Sequence, residues 1–183
     1  MTAFVAVAAL AGFFAGGEKP ALQFDRDAIA AGELWRLWTA HALHFSGSHL
    51  GWSLAVLVPA GAWVEWAAAR RARLFFVIAP AVIGVALLVF DPYLARYAGL
   101  SGLAAGSVAL LAFTLLGRTM GSDRWFWWAV VGLLVAKIAI ELFFPETRLA
   151  RISTPDMRPV PLAHIAGIAS AALVHGTRRR FQI

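Results

Sequence analysis

Three separated stretches carry side chains from which a hydrolytic site could be assembled. They hold His49 and Ser53, Ser101 within Tyr97-Ala-Gly-Leu-Ser-Gly102, and His164 with Gly167. A serine hydroxyl becomes a useful nucleophile only when a neighbouring base takes its proton, and histidine suits that task near neutral pH. Ser101 is therefore the candidate nucleophile and His164 the candidate base. Gly99 and Gly102 flank Ser101 and allow backbone conformations and close approaches that a Cβ would obstruct. The turn opens directly into an apolar, small-residue run, so the Ser101 N–H lies among the unpaired donors of a helix N-terminus, where negative charge is stabilised. His49 and Ser53, four positions apart, share a helix face and could both donate to the same oxyanion. Interhelical packing uses glycine and serine in the same way, so the turn gains meaning only from the other stretches.

Two further groups carry ionisable or metal-ligating side chains. Lys137 and Glu141 stand at i, i+4 inside an apolar run, where each alone would be costly and together they neutralise each other. Lysine precedes glutamate, the less favourable order for helix support, so a tertiary, structural ion pair is expected. His41, His44 and His49 have no carboxylate at helix-face spacing, and no metal is expected there. The Ser–His chemistry requires no cofactor.

These residues must be positioned by membrane helices. The chain of 183 residues is 61% hydrophobic and only 14% charged, with a mean hydropathy of +0.73. A soluble domain carries about 25% charged residues. The expectation is an all-α polytopic membrane protein, a single domain over residues 1–183. Six spans are read at about 2–16, 49–66, 74–90, 101–117, 125–144 and 161–175. The first is slightly short, and a signal peptide would need basic residues ahead of the apolar core, which are absent. Without cysteine, disulfides, thiolate catalysis and thiolate metal sites are excluded. The net charge of +6 belongs to loops between apolar runs and reads as topology, not as a nucleic-acid surface.

Orientation follows from clustering. Arg70, Arg71 and Arg73, Arg118 and Arg124, and Arg178, Arg179 and Arg180 close the even-numbered spans, which places both termini in the cytoplasm. Spans two, four and six then begin at the outer face. His49, Ser53, Ser101 and His164, drawn from three distant stretches, share one depth there. Gly102 and Gly106, with Ala163, Gly167 and Ala171, repeat at four-residue spacing and let spans four and six approach closely. Trp35 and Trp38, beside Arg36 in the first outer connection, suit a membrane–water boundary.

The ensemble resembles the rhomboid family of intramembrane serine proteases. The likeness rests on Glu33-Leu-Trp-Arg36, His44 followed by His49, Gly99-Leu-Ser-Gly102, and His164 with Gly167. It implies a Ser101–His164 dyad without a third acid, His49 as the oxyanion histidine, and Trp35-Arg36 as a structural outer-loop motif. The nearest subgroup in these features is the rhombosortases, through Phe24-Asp-Arg-Asp-Ala-Ile29, Gly32-Glu33, and Ala136-Lys137 followed by Glu141. The resemblance implies membrane-anchored substrates with a C-terminal GlyGly-CTERM tail, in the inner membrane of a bacterium with the site toward the periplasm. Two positions depart from the family pattern. Ser53 stands where asparagine is usual, and Ala105 where tyrosine or histidine commonly packs on the base. The alternatives are a general rhomboid protease with other transmembrane substrates, an inactive relative that binds membrane spans, and a small transporter using Lys137 and Glu141. The last lacks the internal repeat such carriers often show.

Overall fold

The computed structural model describes residues 1–16, 19–144 and 160–177. The expected loop over 145–160, except its final residue, and the arginine cluster 178–180 lie outside the described residues. The chain is mostly helical. Helix α1 spans Thr2–Phe14, α2 Arg26–Ala30, α3 Arg36–Thr39, α4 Gly47–Phe90, α5 Ser101–Leu116, α6 Ser122–Phe143 and α7 Pro161–Gly176. A 3-10 turn, Ala40–Ala42, follows α3. Two short strands, β1 (Phe24–Asp25) and β2 (Arg96–Tyr97), pair antiparallel with Phe24 opposite Tyr97 and Asp25 opposite Arg96.

Helix α4 covers what the sequence reads as the second and third spans. Helical hydrogen bonding runs through the Ala-Ala-Ala-Arg-Arg stretch, but Ala68 has φ −153° and ψ 60°, and the chain turns back there. A Cβ on Gly61 would lie 3.2 Å from the Phe76 ring, and these two residues are nearly equidistant from the bend. The arms thus form an antiparallel hairpin. The start of α1 packs at the bend end, where the Thr2 amide donates to Glu65 Oε2 at 3.2 Å.

Helix α5 is the centre of the molecule. Eleven of its 16 residues are buried, which explains why its sequence is apolar and small on every side, with no polar face. It packs against α4 and α7. Helix α6 is the opposite case: of 22 residues only Trp127 and Glu141 are buried. It leaves Trp125, Phe126, Leu133, Val135 and Phe143 exposed. An apolar helix with so little protein cover has lipid as its solvent. Among the described residues, two helices, α4 and α6, are long and apolar enough to cross a membrane, while α1, α5 and α7 are shorter apolar helices.

The connection between α1 and α4, expected only as an interfacial segment, folds into β1, α2, α3 and the 3-10 turn. It is fastened to the rest by Arg26. The Arg26 guanidinium donates to the carbonyls of Leu87 at 2.9 Å, Leu88 at 2.8 Å, Asp91 at 2.5 Å and Leu94 at 3.2 Å. Leu87 and Leu88 stand in the last turn of α4, and Asp91 and Leu94 in the turn just after it, where a cation is also favoured by the helix dipole. Arg36 is buried and organises the connection from within. It donates to the Gln23 carbonyl at 2.9 Å, to the Pro20 carbonyl, and to Glu33 Oε2 through Nε at 2.7 Å. Trp35 and Trp38 stay half exposed, each indole N–H bonded to a carbonyl, of Ala21 and Val77.

Candidate active site

Helices α5 and α7 run in parallel register at contact distance. A Cβ on Gly102 would lie 2.8 Å from the Ala163 carbonyl oxygen, and one on Gly106 2.6 Å from that of Gly167. Each step of four on α5 matches a step of four on α7, so their N-terminal ends lie side by side. Ser101 is the first residue of α5 and His164 is the fourth of α7. They are therefore the chain neighbours of the touching pair Gly102 and Ala163. The small-residue spacing in the sequence has its physical counterpart here, because only residues without bulky side chains let two backbones meet.

The turn before Ser101 is held from several directions. Gly99 has φ +137°, a conformation that side-chain-bearing residues rarely adopt. Its N–H donates to the Ala40 carbonyl at 3.1 Å, and its own carbonyl oxygen accepts from the Tyr97 hydroxyl at 3.2 Å. The His41 ring nitrogens face the carbonyl oxygens of Gly99 at 3.1 Å and Pro80 at 3.3 Å. The Leu100 N–H donates to His44 Nε2 at 3.2 Å. Burial pushes the Tyr97 phenol up to about 12, against the opposing effect of the Ser101 side chain and the Gly102 backbone, which bond to it. Tyr97 thus stays a neutral hydroxyl beside Ser101.

His49 and Ser53 are both buried on the first arm of α4. The His49 N–H donates to Ser46 Oγ at 3.2 Å, which caps the helix. The His49 ring meets the turn with its Cε1 edge: a Cβ on Gly99 would be 2.5 Å from its Cε1 and 3.1 Å from its Nε2. His44 stacks edge-on with it, ring centroids 5.1 Å apart. His49 is also near enough to His164 to interact electrostatically. The N-terminal ends of α4, α5 and α7 accordingly converge, with the Gly99 turn between them.

Lys137 and Glu141 form the expected pair on α6, with Lys137 Nζ 2.5 Å from Glu141 Oε1. The pair does not stand alone. His164 Nδ1 lies 2.7 Å from Glu141 Oε2, with both side chains buried, and Lys137 Nζ lies 3.2 Å from the same nitrogen. Sequence reading misses this third member because residues 141 and 164 share no local spacing. The available signal is energetic: a carboxylate facing the interior of an apolar helix needs a partner. The anchoring roles of Arg26, His41 and Tyr97 are equally invisible to local spacing. His41 and Tyr97 act through backbone groups that no residue pattern marks.

The described constellation contains a hydroxyl at a helix N-terminus, imidazoles on two neighbouring helices, and a buried carboxylate on a third. That set can generate a nucleophile and stabilise an oxyanion. Comparison with known families adds that the Rhomboid domain model matches residues 31–180, which takes in every site residue from Trp35 to Gly167. No curated protein matches the chain.

Proposed function

The chain belongs to the rhomboid family, whose members are intramembrane serine proteases, and from that premise we propose that it cleaves membrane-anchored proteins with Ser101 as nucleophile and His164 as base. The observation that carries the reading is the parallel contact of α5 and α7 at Gly102 and Ala163, beside which both residues stand. In the first step the Ser101 Oγ–carbonyl bond forms while the serine proton passes to His164 Nε2. The negative charge on the former carbonyl oxygen is met by the Ser101 N–H, His49 and Ser53. Collapse breaks the C–N bond, and the leaving amine takes the proton from His164. Water, deprotonated by the same imidazole, then releases the acyl-enzyme.

The six-span arrangement, with both termini in the cytoplasm of a bacterium and the site toward the periplasm, belongs to this proposal. So does the substrate class: exported proteins with a C-terminal Gly-Gly motif, an apolar span and basic residues. Gly-Gly suits the chemistry because it weakens a helix and leaves an extended, reachable peptide bond. The test is co-expression with a GlyGly-tailed substrate, comparing wild type with Ser101→Ala and His164→Ala. Cleavage by wild type alone is the expected result. Cleavage that survives in both variants removes the mechanism. Cleavage by wild type of a generic rhomboid substrate but not of this tail removes the substrate class and leaves the protease.

A further inference from the structure

We propose that Glu141 completes a Ser101–His164–Glu141 relay as a positioning residue, an inference that rests on the protease reading above. The argument begins with the proton on the imidazole. At 2.7 Å from a carboxylate oxygen, a bare Nδ1 would oppose its lone pair to another, so Nδ1 carries the hydrogen and donates it to Glu141 Oε2. The neutral ring then has its lone pair at Nε2, the tautomer a base needs if it is to accept a proton from serine. When the ring becomes imidazolium during the reaction, its new charge faces an anion already in place, with side chains only 6% and 8% exposed for His164 and Glu141. Low solvent access strengthens that contact.

Lys137 occupies the other carboxylate oxygen. Oε1 takes the lysine and Oε2 takes the histidine, so each partner has its own acceptor. The lysine helps to fix the carboxylate's rotation, while its own side chain is 48% exposed. Its 3.2 Å approach to Nδ1 follows from both groups binding one carboxylate, because a single ring nitrogen that donates cannot also accept. Glu141 is one of only two buried residues on α6. An acid in that place would be an unfavourable choice merely to pack a helix that otherwise faces lipid.

A structural ion pair and a positioning acid make opposite claims once the lysine is gone. In a Lys137→Met background, an acid that only neutralises lysine has lost its purpose, and adding Glu141→Gln should restore activity or leave it unchanged. A positioning acid still works there, and adding Glu141→Gln should lower kcat by about 10- to 1,000-fold with KM within about twofold. The readouts are cleavage kinetics of a membrane-anchored substrate and the rate of Ser101 labelling by a fluorophosphonate, on protein shown by size-exclusion chromatography to be folded in detergent. Equal kcat and labelling rate in the two Lys137→Met proteins overturn the proposal. In the otherwise native chain, Glu141→Asp keeps the charge one methylene shorter and is expected to label faster than Glu141→Gln; the reverse order also overturns it. Ser101→Ala runs alongside. Undiminished cleavage by that variant brings down the protease reading and this relay with it, whereas its loss combined with an indifferent Glu141 brings down the relay alone.

Discussion

Gly167 meets Gly102 backbone to backbone: a Cβ at position 167 would lie 2.0 Å from the Gly102 carbonyl oxygen and 2.9 Å from its carbonyl carbon. Those atoms belong to the main chain of a helix and cannot swing aside as a side chain would. Gly167→Ala must therefore push α7 away from α5, at a cost of about 1–3 kcal/mol for overpacking. The displaced element carries His164, so activity should fall further than stability. Gly132→Ala on α6 is the control, since nothing lies within 4 Å of its added Cβ. Thermal unfolding in detergent and substrate cleavage, measured together, are expected to separate the two variants. Equal behaviour would mean that the close helix contact has no bearing on the site.

Gly99 faces a different obstacle. Its φ of +137° disfavours any side chain, and the added Cβ would enter the His49 ring. Gly99→Ala is expected to displace His49 while leaving the helices in place. If His49 supplies an oxyanion donor, kcat should drop by roughly 10²–10³-fold, the usual cost of losing one such donor, with a small change in unfolding midpoint. Wild-type kcat in Gly99→Ala would remove His49 from the oxyanion hole.

Arg26 ties the connection between α1 and α4 to the C-terminal end of α4 and the turn after it through four carbonyl groups. Arg26→Ala removes the guanidinium from these carbonyls, of which Leu87 and Asp91 keep a backbone N–H donor, and should cost about 1–3 kcal/mol. Arg26→Lys keeps the charge but lacks the planar fork that reaches several carbonyls at once. It should recover less than half of the loss. Unfolding midpoints of the three proteins test the ranking, and a lysine variant as stable as wild type would show that charge alone holds this junction.

What the sequence made legible was set by local pattern. Apolar runs located the helices, because a membrane helix must satisfy its backbone internally and announces itself by composition. The four-residue repeat of small residues foretold the meeting of α5 and α7. Less was readable where geometry depends on backbone groups. The connection read between the spans ending at 66 and beginning at 74 takes in the bend at Ala68, but nothing in its residue types marks that helical bonding would run on through it. His41 and Tyr97 hold the Gly99 turn by way of carbonyl oxygens, which every residue possesses. The approach of Glu141 to His164 joins helices separated by residues 144–160, so no spacing rule could link them. Lys137 and Glu141 were recognisable as a pair only because they sit on one helix face.

His44 carries the last expectation, which concerns pH. Burial first, and then the neighbouring His49 and His41, hold its imidazole down to about 3 from an ordinary 6.5. It lies in the connection ahead of α4 and accepts the Leu100 N–H at Nε2, a contact that protonation would destroy. Between the folded and unfolded values the unfolded chain binds a proton that the folded chain refuses, so stability rises with pH across that window. The contribution is complete above about 6.5 and is lost as pH falls toward 3. His41, lowered mainly by burial, acts in the same direction. His44→Gln keeps an oxygen able to accept from Leu100 but does not titrate. Its unfolding midpoint should fall less between pH 7.5 and pH 4.5 than that of wild type, with His41 responsible for part of the remaining slope. Parallel slopes for the two proteins would show that His44 already takes up a proton in the folded state.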